Sequence, residues 1–363
     1  MSNDIEQRKA EHLALCATGD VGFRNRTPGF DQVRLVHNAL PELDADRIDT
    51  STVLFGKKLR APILIAAMTG GAEVAGRVNR ALASVAEARG YAFGLGSQRA
   101  MHVRSGIRHT YDVRDVAPST VVMGNLGLVQ ARQMTTAQVR ALIDDVGADA
   151  LCIHTNPSQE LVQPGGERDF RGGLAAIARL VSELGKPVLV KEVGSGISPE
   201  VAARLRSVGV AYLDVSGAGG TSWVGVETLR AGELGDEKAR SLGEAFWDWG
   251  IPTAACVALS APLGFEAILA TGGVSTGLDV AKALALGATA AGIARPALRA
   301  FHTGGLDALN ALFDRIEGEL RAAMFLTGSG NVGALRRAPR IVSGELASWL
   351  QQIGGQPVNG GET

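Results

Sequence analysis

The chain has 363 residues, 47 of them glycine, with 46% hydrophobic, 5% aromatic and 20% charged residues. That apolar fraction excludes a disordered chain, and glycines without a period of three beside only 13 prolines exclude collagen. With 36 Lys+Arg against 37 Asp+Glu, the formal net charge is −1, so no global positive field draws in nucleic acid or an anionic membrane.

From the N-terminus, Met1 to Glu11 is polar and charged and does not read as a secretory signal. The most apolar stretch, Ile251 to Ala270, is broken by Pro252, Pro262 and Glu266, so no membrane span is expected. Cys16, Cys152 and Cys256 have no paired spacing and read as structural thiols of a reducing compartment. A cytoplasmic protein with neither nucleic-acid nor membrane partners is expected. Strands are then expected at Ile63–Ala67, Tyr91–Leu95, Val121–Gly124, Ala150–Ile153, Pro187–Lys191, Ala211–Val215, Ala267–Ala270 and Thr289–Ile293. Helical periodicity separates them at Asn79–Arg89, Thr136–Val146, Leu174–Leu184 and Pro199–Val208. Ser198-Pro199-Glu200 opens the last of these with a cap, a first-turn proline and a first-turn acid.

Eight strands alternating with helices predict parallel pairing and a (β/α)8 TIM barrel, with a doubly wound open sheet as the alternative. The reading is one domain over residues 1–363: an extension over 1–60, the barrel over 61–298 and a helical extension over 299–363. The interval from Ala211 to Ala267 is about twice the others and predicts an insertion.

In such a barrel the chemistry sits where the strands end. Every expected end is small or polar, from Met68-Thr69-Gly70-Gly71 through Gly96-Ser97-Gln98-Arg99 and Gly124-Asn125 to Gly292-Ile293-Ala294-Arg295. Gly272-Gly273 and Gly292-Ile293-Ala294 fall where barrels bind phosphate through backbone N–H groups, with Ser216 and Thr221 as further donors. Thr69, Ser97 and Asn125 suit the edge of a heteroaromatic ring. Lys191 is either a structural ion-pair partner or a cation facing an anionic ring. The set suits flavin mononucleotide (FMN). Gly273-Val274-Ser275-Thr276-Gly277 fits a nucleophile elbow, but the phosphate position gives it a simpler task; Gly328–Gly333 fits G-x-G-x-x-G but follows a helical run and reads as a turn.

Arg8-Lys9-Ala10-Glu11-His12, Met68-Thr69-Gly70-Gly71, Gly96-Ser97-Gln98-Arg99, Asn156-Pro157-Ser158-Gln159-Glu160, Lys191-Glu192-Val193-Gly194 and Ser216-Gly217-Ala218-Gly219-Gly220-Thr221 together resemble the type 2 isopentenyl-diphosphate isomerases, from about Arg8 to Trp349. The resemblance implies a flavin-dependent barrel that interconverts isopentenyl and dimethylallyl diphosphate with reduced FMN, Mg²⁺ and a nicotinamide reductant such as NADPH, usually as a homotetramer or homo-octamer. It implies FMN contacts from Ala67, Met68, Thr69, Ser97, Asn125, Lys191, Ser216, Thr221, Gly272, Gly273 and Ala294. Substrate would meet Arg8, Lys9, Ser97, Gln98, Arg99 and Gln159, with His12, His154 and Asn156 near the diphosphate and Glu160 on Mg²⁺. Thr155 and Thr271 depart from the family pattern.

Moving a double bond requires a strong acid, stabilisation of positive charge and a dry site. No side chain of the motif set is an obvious acid, so the acid–base group is expected to be the reduced flavin itself, with no catalytic side chain assigned. Arg8, Lys9, Arg99, His154 and Mg²⁺ on Glu160 would form the cation set for the diphosphate. His37, His102, His109 and His302 read as surface or structural. The alternatives are an FMN-dependent TIM-barrel oxidoreductase, for which Arg295 is the one late candidate and lacks a histidine beside it, a paralogue acting on a longer prenyl chain, and a non-catalytic binding protein.

Overall fold

In the computed structural model, which describes residues 2–104 and 106–354 (backbone only over 2–6), the eight apolar runs form one closed barrel. The strands are β1 (Ile63–Ile65), β2 (Ala92–Gly94), β3 (Val121–Gly127), β4 (Ala150–His154), β5 (Val188–Lys191), β6 (Tyr212–Asp214), β7 (Ala267–Ala270) and β8 (Ala290–Ile293). Each pairs in parallel with the next, and β8 closes on β1 in the register Ala291 with Ile63. Alternation along β1 shows why: Ile63 and Ile65 point outward into the layer between strands and helices, while Leu64 points inward. The inner cluster is small, with Leu64, Ala92, Val121, Met123, Ala150, Cys152, Leu189 and Leu269, and Leu54 and Leu59 of a hairpin pack into it.

Two strand ends differ from expectation in a way that matters for the cavity. β1 stops at Ile65, so Ala67 and Met68 leave the ladder. β3 runs on to Gly127, and its extended pairing with β4 sets Asn125 opposite Cys152 and Gly127 opposite His154.

The helices that matter below are α1 (Ser2–Thr18), α2 (Glu73–Arg89), α3 (Pro157–Val162), α4 (Trp223–Glu233), α5 (Gly277–Ala285) and α6 (Arg295–Leu326), the last interrupted by non-helical backbone at Gly304 and Gly305. α2 begins six residues before the expected Asn79; Gly76 in that stretch lies against Thr110, where a Cβ would come within 3.1 Å of the Thr110 Cα. The long interval before β7 holds α4 and two further helices, Glu237–Phe246 and Thr253–Ser260. Val33–Leu35 pairs antiparallel with Arg340–Val342, fastening the segment before the barrel to the segment after it.

Both weak motifs are structural. Ser275 donates its hydroxyl to Asp279, 3.2 Å away, within the capping box that starts α5. Asn331 of the second motif caps the helix Val332–Arg337. All three cysteines are buried and free, and burial pushes each thiol up to about 12. Among the described residues no helix is long and apolar enough to cross a membrane.

Candidate active site

All eight strands end at one cavity of about 620 Å³. At the β7–β8 end its wall is main chain. Gly272 and Gly273 have φ of +98° and +82°, a left-handed backbone open to glycine at little cost. A Cβ at Gly272 would stand 2.2 Å from the Gly217 carbonyl oxygen, and one at Gly220 would stand 2.3 Å from the Gly273 nitrogen. The loops after β6 and β7 therefore touch backbone to backbone. After β8, α6 begins behind Ala294, which has no side-chain cap, and Ala294, Arg295 and Pro296 all border the cavity. Uncapped N–H groups at a helix start, beside a glycine cradle, fit a phosphate.

The middle of the cavity is lined by Ala67, Met68, Thr69, Ser97, Asn125, Lys191, Ser216 and Thr221. Lys191 donates to the Glu192 carbonyl at 2.5 Å and stands 3.6 Å from the buried Asp214 carboxylate. Asp214 also accepts from the Thr271 hydroxyl (2.6 Å) and the Ser216 N–H (3.2 Å), holding Ser216 at its unusual φ of +36°. One buried anion thus ties together three strand ends, and it gives Thr271, one of the two departures from the family pattern, a partner. Thr155, the other, donates its hydroxyl to the Lys191 carbonyl at 3.1 Å.

The α1–α3 end is built from charged and amide side chains. α1 brings Arg8, Lys9 and His12 to the cavity, the start of the short helix Arg99–Val103 brings Arg99, and α3 with its cap brings Asn156, Gln159 and Glu160. Lys9 donates to the Ser97 carbonyl at 3.4 Å, and desolvation followed by the nearby Arg8 and Arg99 charges lowers it to about 8. Arg8 is lowered as well, by burial and, among its charged neighbours, by Arg99 and Arg230. Arg99 meets Glu167 at 3.3 Å. Glu160 accepts from Asn156 (3.0 Å) and from the Glu167 N–H (2.7 Å). No group of three or more His, Cys, Asp or Glu among the described residues is placed to hold a metal ion. A divalent ion at Glu160 would share it with ligand oxygens and water, which is how Mg²⁺ is usually held.

Two expected residues behave otherwise. Gln98 does not line the cavity: it is buried, donating to the Leu142 carbonyl (2.8 Å) and accepting from the Asn125 N–H (2.9 Å), so its amide is consumed in joining β2 to β3. His154 does line it, but not as a cation. Burial first, then Lys191 and Lys9, lower it to about 3, and its Nδ1 lies 2.8 Å from the Asn125 side-chain oxygen. An amide oxygen only accepts, so the neutral ring carries its proton on Nδ1 and leaves Nε2 as an acceptor.

Sequence reasoning missed a buried network behind this end. Glu227 of α4 is fully buried, 2.8 Å from His12 Nε2, and accepts from Gln159 (3.2 Å) and Arg230 (2.7 Å). Burial pushes its carboxyl up, but His12 and Arg230 outweigh that and hold it at about 2. Arg230 reaches on to Glu11 of α1 at 2.9 Å, and Trp223 meets the His12 ring edge-on at 5.3 Å. On the sequence, Glu227 and Arg230 are an ordinary i,i+3 pair; the packing of α4 against α3, the helix Glu237–Phe246 and α1 buries them. Glu192 was missed too. One oxygen accepts the N–H groups of Val193, Gly194 and Ser195, the other has no partner, and burial, partly offset by those bonds, raises it to about 7.

A closed (β/α)8 barrel whose strand ends meet at a glycine-walled cavity bordered by a lysine is the architecture of a flavin-nucleotide-binding barrel enzyme. The profile of the family described as FMN-dependent dehydrogenase matches residues 1–155 and 165–342. The isopentenyl-diphosphate delta-isomerase of Methanosarcina barkeri is 45% identical over 98% of this chain and 96% of its own, and that of Halobacterium salinarum is 44% identical over 97% of each. This chain belongs to the FMN-dependent dehydrogenase family and, within it, to the type 2 isopentenyl-diphosphate delta-isomerases. Among solved structures, a Pediococcus acidilactici lactate oxidase has TM-score 0.66 at 17% identity, covering 94% of both chains, and mandelate oxidase with (S)-mandelic acid has 0.64 at 19%, covering 94% and 98%; both share the fold.

Proposed function

We propose that the chain interconverts isopentenyl and dimethylallyl diphosphate in isoprenoid biosynthesis, with FMN in the barrel mouth and the diphosphate under α1. The observation that carries this reading is the convergence of Arg8, Lys9 and Arg99 at one end of an FMN-sized cavity, where burial first, and then the neighbouring cations, lower Arg8 and Lys9. Arg99 has Glu167 as a partner at 3.3 Å, but three cations still converge on one cavity end, and a diphosphate supplies the several negative charges that would match them. Gly272, Gly273 and Ala294 would hold the flavin phosphate. Thr69, Ser97, Asn125, Ser216 and Thr221 would take the ring and ribityl chain, with Lys191 kept beside the ring by Asp214. Reduced FMN would supply the acid–base group there, with no net redox change.

The chain's own side chains bind, orient and exclude water. Arg8, Lys9 and Arg99 would take the diphosphate, Glu160 would hold Mg²⁺, and neutral His154 and the amides of Asn156 and Gln159 would orient the substrate. α1, laid across the opening, shields the reacting carbons. NADPH would keep the flavin reduced, and the working form would be a cytoplasmic homotetramer or homo-octamer. The oxidoreductase alternative loses its late-barrel arginine, because Arg295 is spent on the carbonyls of Cys16 and Gly19. Incubation of the chain with FMN, NADPH, Mg²⁺ and isopentenyl diphosphate should yield dimethylallyl diphosphate; no product with flavin bound and reduced would overturn the reading. Replacing FMN by 5-deaza-FMN should abolish turnover, and an active deaza enzyme would refute the flavin's acid–base role.

A further inference from the structure

Arg295 and Arg299 sit one turn apart at the start of α6, and both border the cavity at its phosphate end. Among the described residues neither forms an ion pair, although the Asp20 carboxylate lies near enough to favour the Arg295 charge. Arg295 donates to the carbonyls of Cys16 (3.3 Å) and Gly19 (2.8 Å), and Arg299 to those of Ala17 (3.1 Å) and Gly19 (2.8 Å). These are the carbonyls of the last turn of α1 and the residue after it, which have no partner within the helix and carry the negative end of its dipole. The same helix bears Arg8, Lys9 and His12 at the other end of the cavity. From Gly19 the chain continues along the wall through Gly22 and Phe23, and Gly22 pairs with Thr221.

We propose that Arg295 and Arg299 are positioning residues that dock α1 from the phosphate end of the cavity, so that occupation of that end by a phosphate strengthens the docking and with it diphosphate binding at Arg8 and Lys9. The proposal rests on the FMN reading above. Two guanidiniums side by side repel: burial first, and then the Arg299 charge, lower Arg295. A phosphate dianion between the β7 glycines and the start of α6 offsets that repulsion and favours both arginines in the arrangement that also holds the α1 carbonyls. The coupling is reciprocal, so diphosphate bound under α1 tightens FMN by the same factor.

The test uses the full chain, with and without FMN, and the variants Arg295→Gln, Arg299→Gln and Arg299→Lys. Three quantities are read: FMN affinity, the KM and kcat for isopentenyl diphosphate, and the rate of tryptic cleavage after Arg8 and Lys9, followed by mass spectrometry of the N-terminal peptides. In the wild-type chain FMN should slow that cleavage about tenfold. Arg299→Gln should lose the protection and raise KM about tenfold with kcat nearly unchanged, and Arg299→Lys should restore part of both. A merely structural role would lower thermal stability without splitting KM from kcat. Flavin bound with no change in cleavage, or Arg299→Gln with an unchanged KM, would overturn the proposal. A wild-type chain that takes up no FMN would overturn the cofactor reading, and this inference with it.

Discussion

At the β7–β8 end of the cavity the wall is main chain, whereas at the α1–α3 end it is long charged side chains held by a network beneath them. The difference is one of tolerance. A backbone cradle works because nothing occupies the space of a Cβ, so a single added carbon removes it. A charged cluster shares its task among several groups, so one loss weakens it without erasing it. Gly272→Val is therefore expected to have the largest effect. It places a branched side chain at φ +98°, with its Cβ 2.2 Å from the Gly217 carbonyl. Strain and clash together cost at least ~3 kcal/mol, about a hundredfold or more in FMN affinity. Flavin absorbance of the purified variant and titration with FMN measure it. A variant that holds FMN as well as wild type would remove the phosphate from this end.

Arg99→Ala is the matching test at the other end. Losing one charge-assisted contact to the diphosphate costs about 1.5–3 kcal/mol, roughly 10- to 100-fold in KM, while FMN affinity holds. The contrast sharpens if both titrations are run on the same preparation: the glycine variant should lose flavin and substrate together, and the arginine variant substrate alone.

The same contrast explains how much was legible in the sequence. The barrel was, because eight apolar runs separated by helical periods leave few other packings, and the left-handed turn at Gly272 and Gly273 was, because adjacent glycines after a strand favour such backbone. The charged end was legible only through its resemblance to a family, since Arg8-Lys9 alone reads as a solvated pair. Glu227, Arg230 and Arg299 were not legible at all, because their roles arise from α1 crossing α4 and α6, contacts between segments some 200 or more residues apart in the chain.

Gln98 shows the opposite failure. It stands inside a site motif, yet its amide is turned into the wall, where it satisfies the Leu142 carbonyl and the Asn125 N–H. Gln98→Ala would leave both buried groups unpaired, a cost of about 1–3 kcal/mol in stability. The midpoint of thermal unfolding should fall while the KM for the diphosphate holds. A tenfold rise in KM with an unchanged midpoint would return Gln98 to the substrate.

The smallest expected effect comes from pH, and it separates Lys9 from its arginine neighbours. An arginine keeps its charge across the working range, whereas desolvation, Arg8 and Arg99 bring Lys9 to about 8. A lysine lowered in this way is charged below that pH and neutral above it. Diphosphate binding favours the charged form, so affinity should be level below about pH 8 and fall above it. The slope approaches tenfold per unit until the raised value of the bound state is reached. Stability has the opposite sign: because the folded chain holds this proton less tightly than the unfolded one, Lys9 disfavours folding at low pH. That penalty diminishes as pH rises through 8 and is gone once the unfolded lysine also titrates. The Kd of inorganic pyrophosphate, measured from pH 6.5 to 9.5 on the FMN-loaded chain, should show the break, and Lys9→Arg should move it out of the range. A break that persists in Lys9→Arg would belong to another group, and the buried Glu192, held at about 7, is the next to examine.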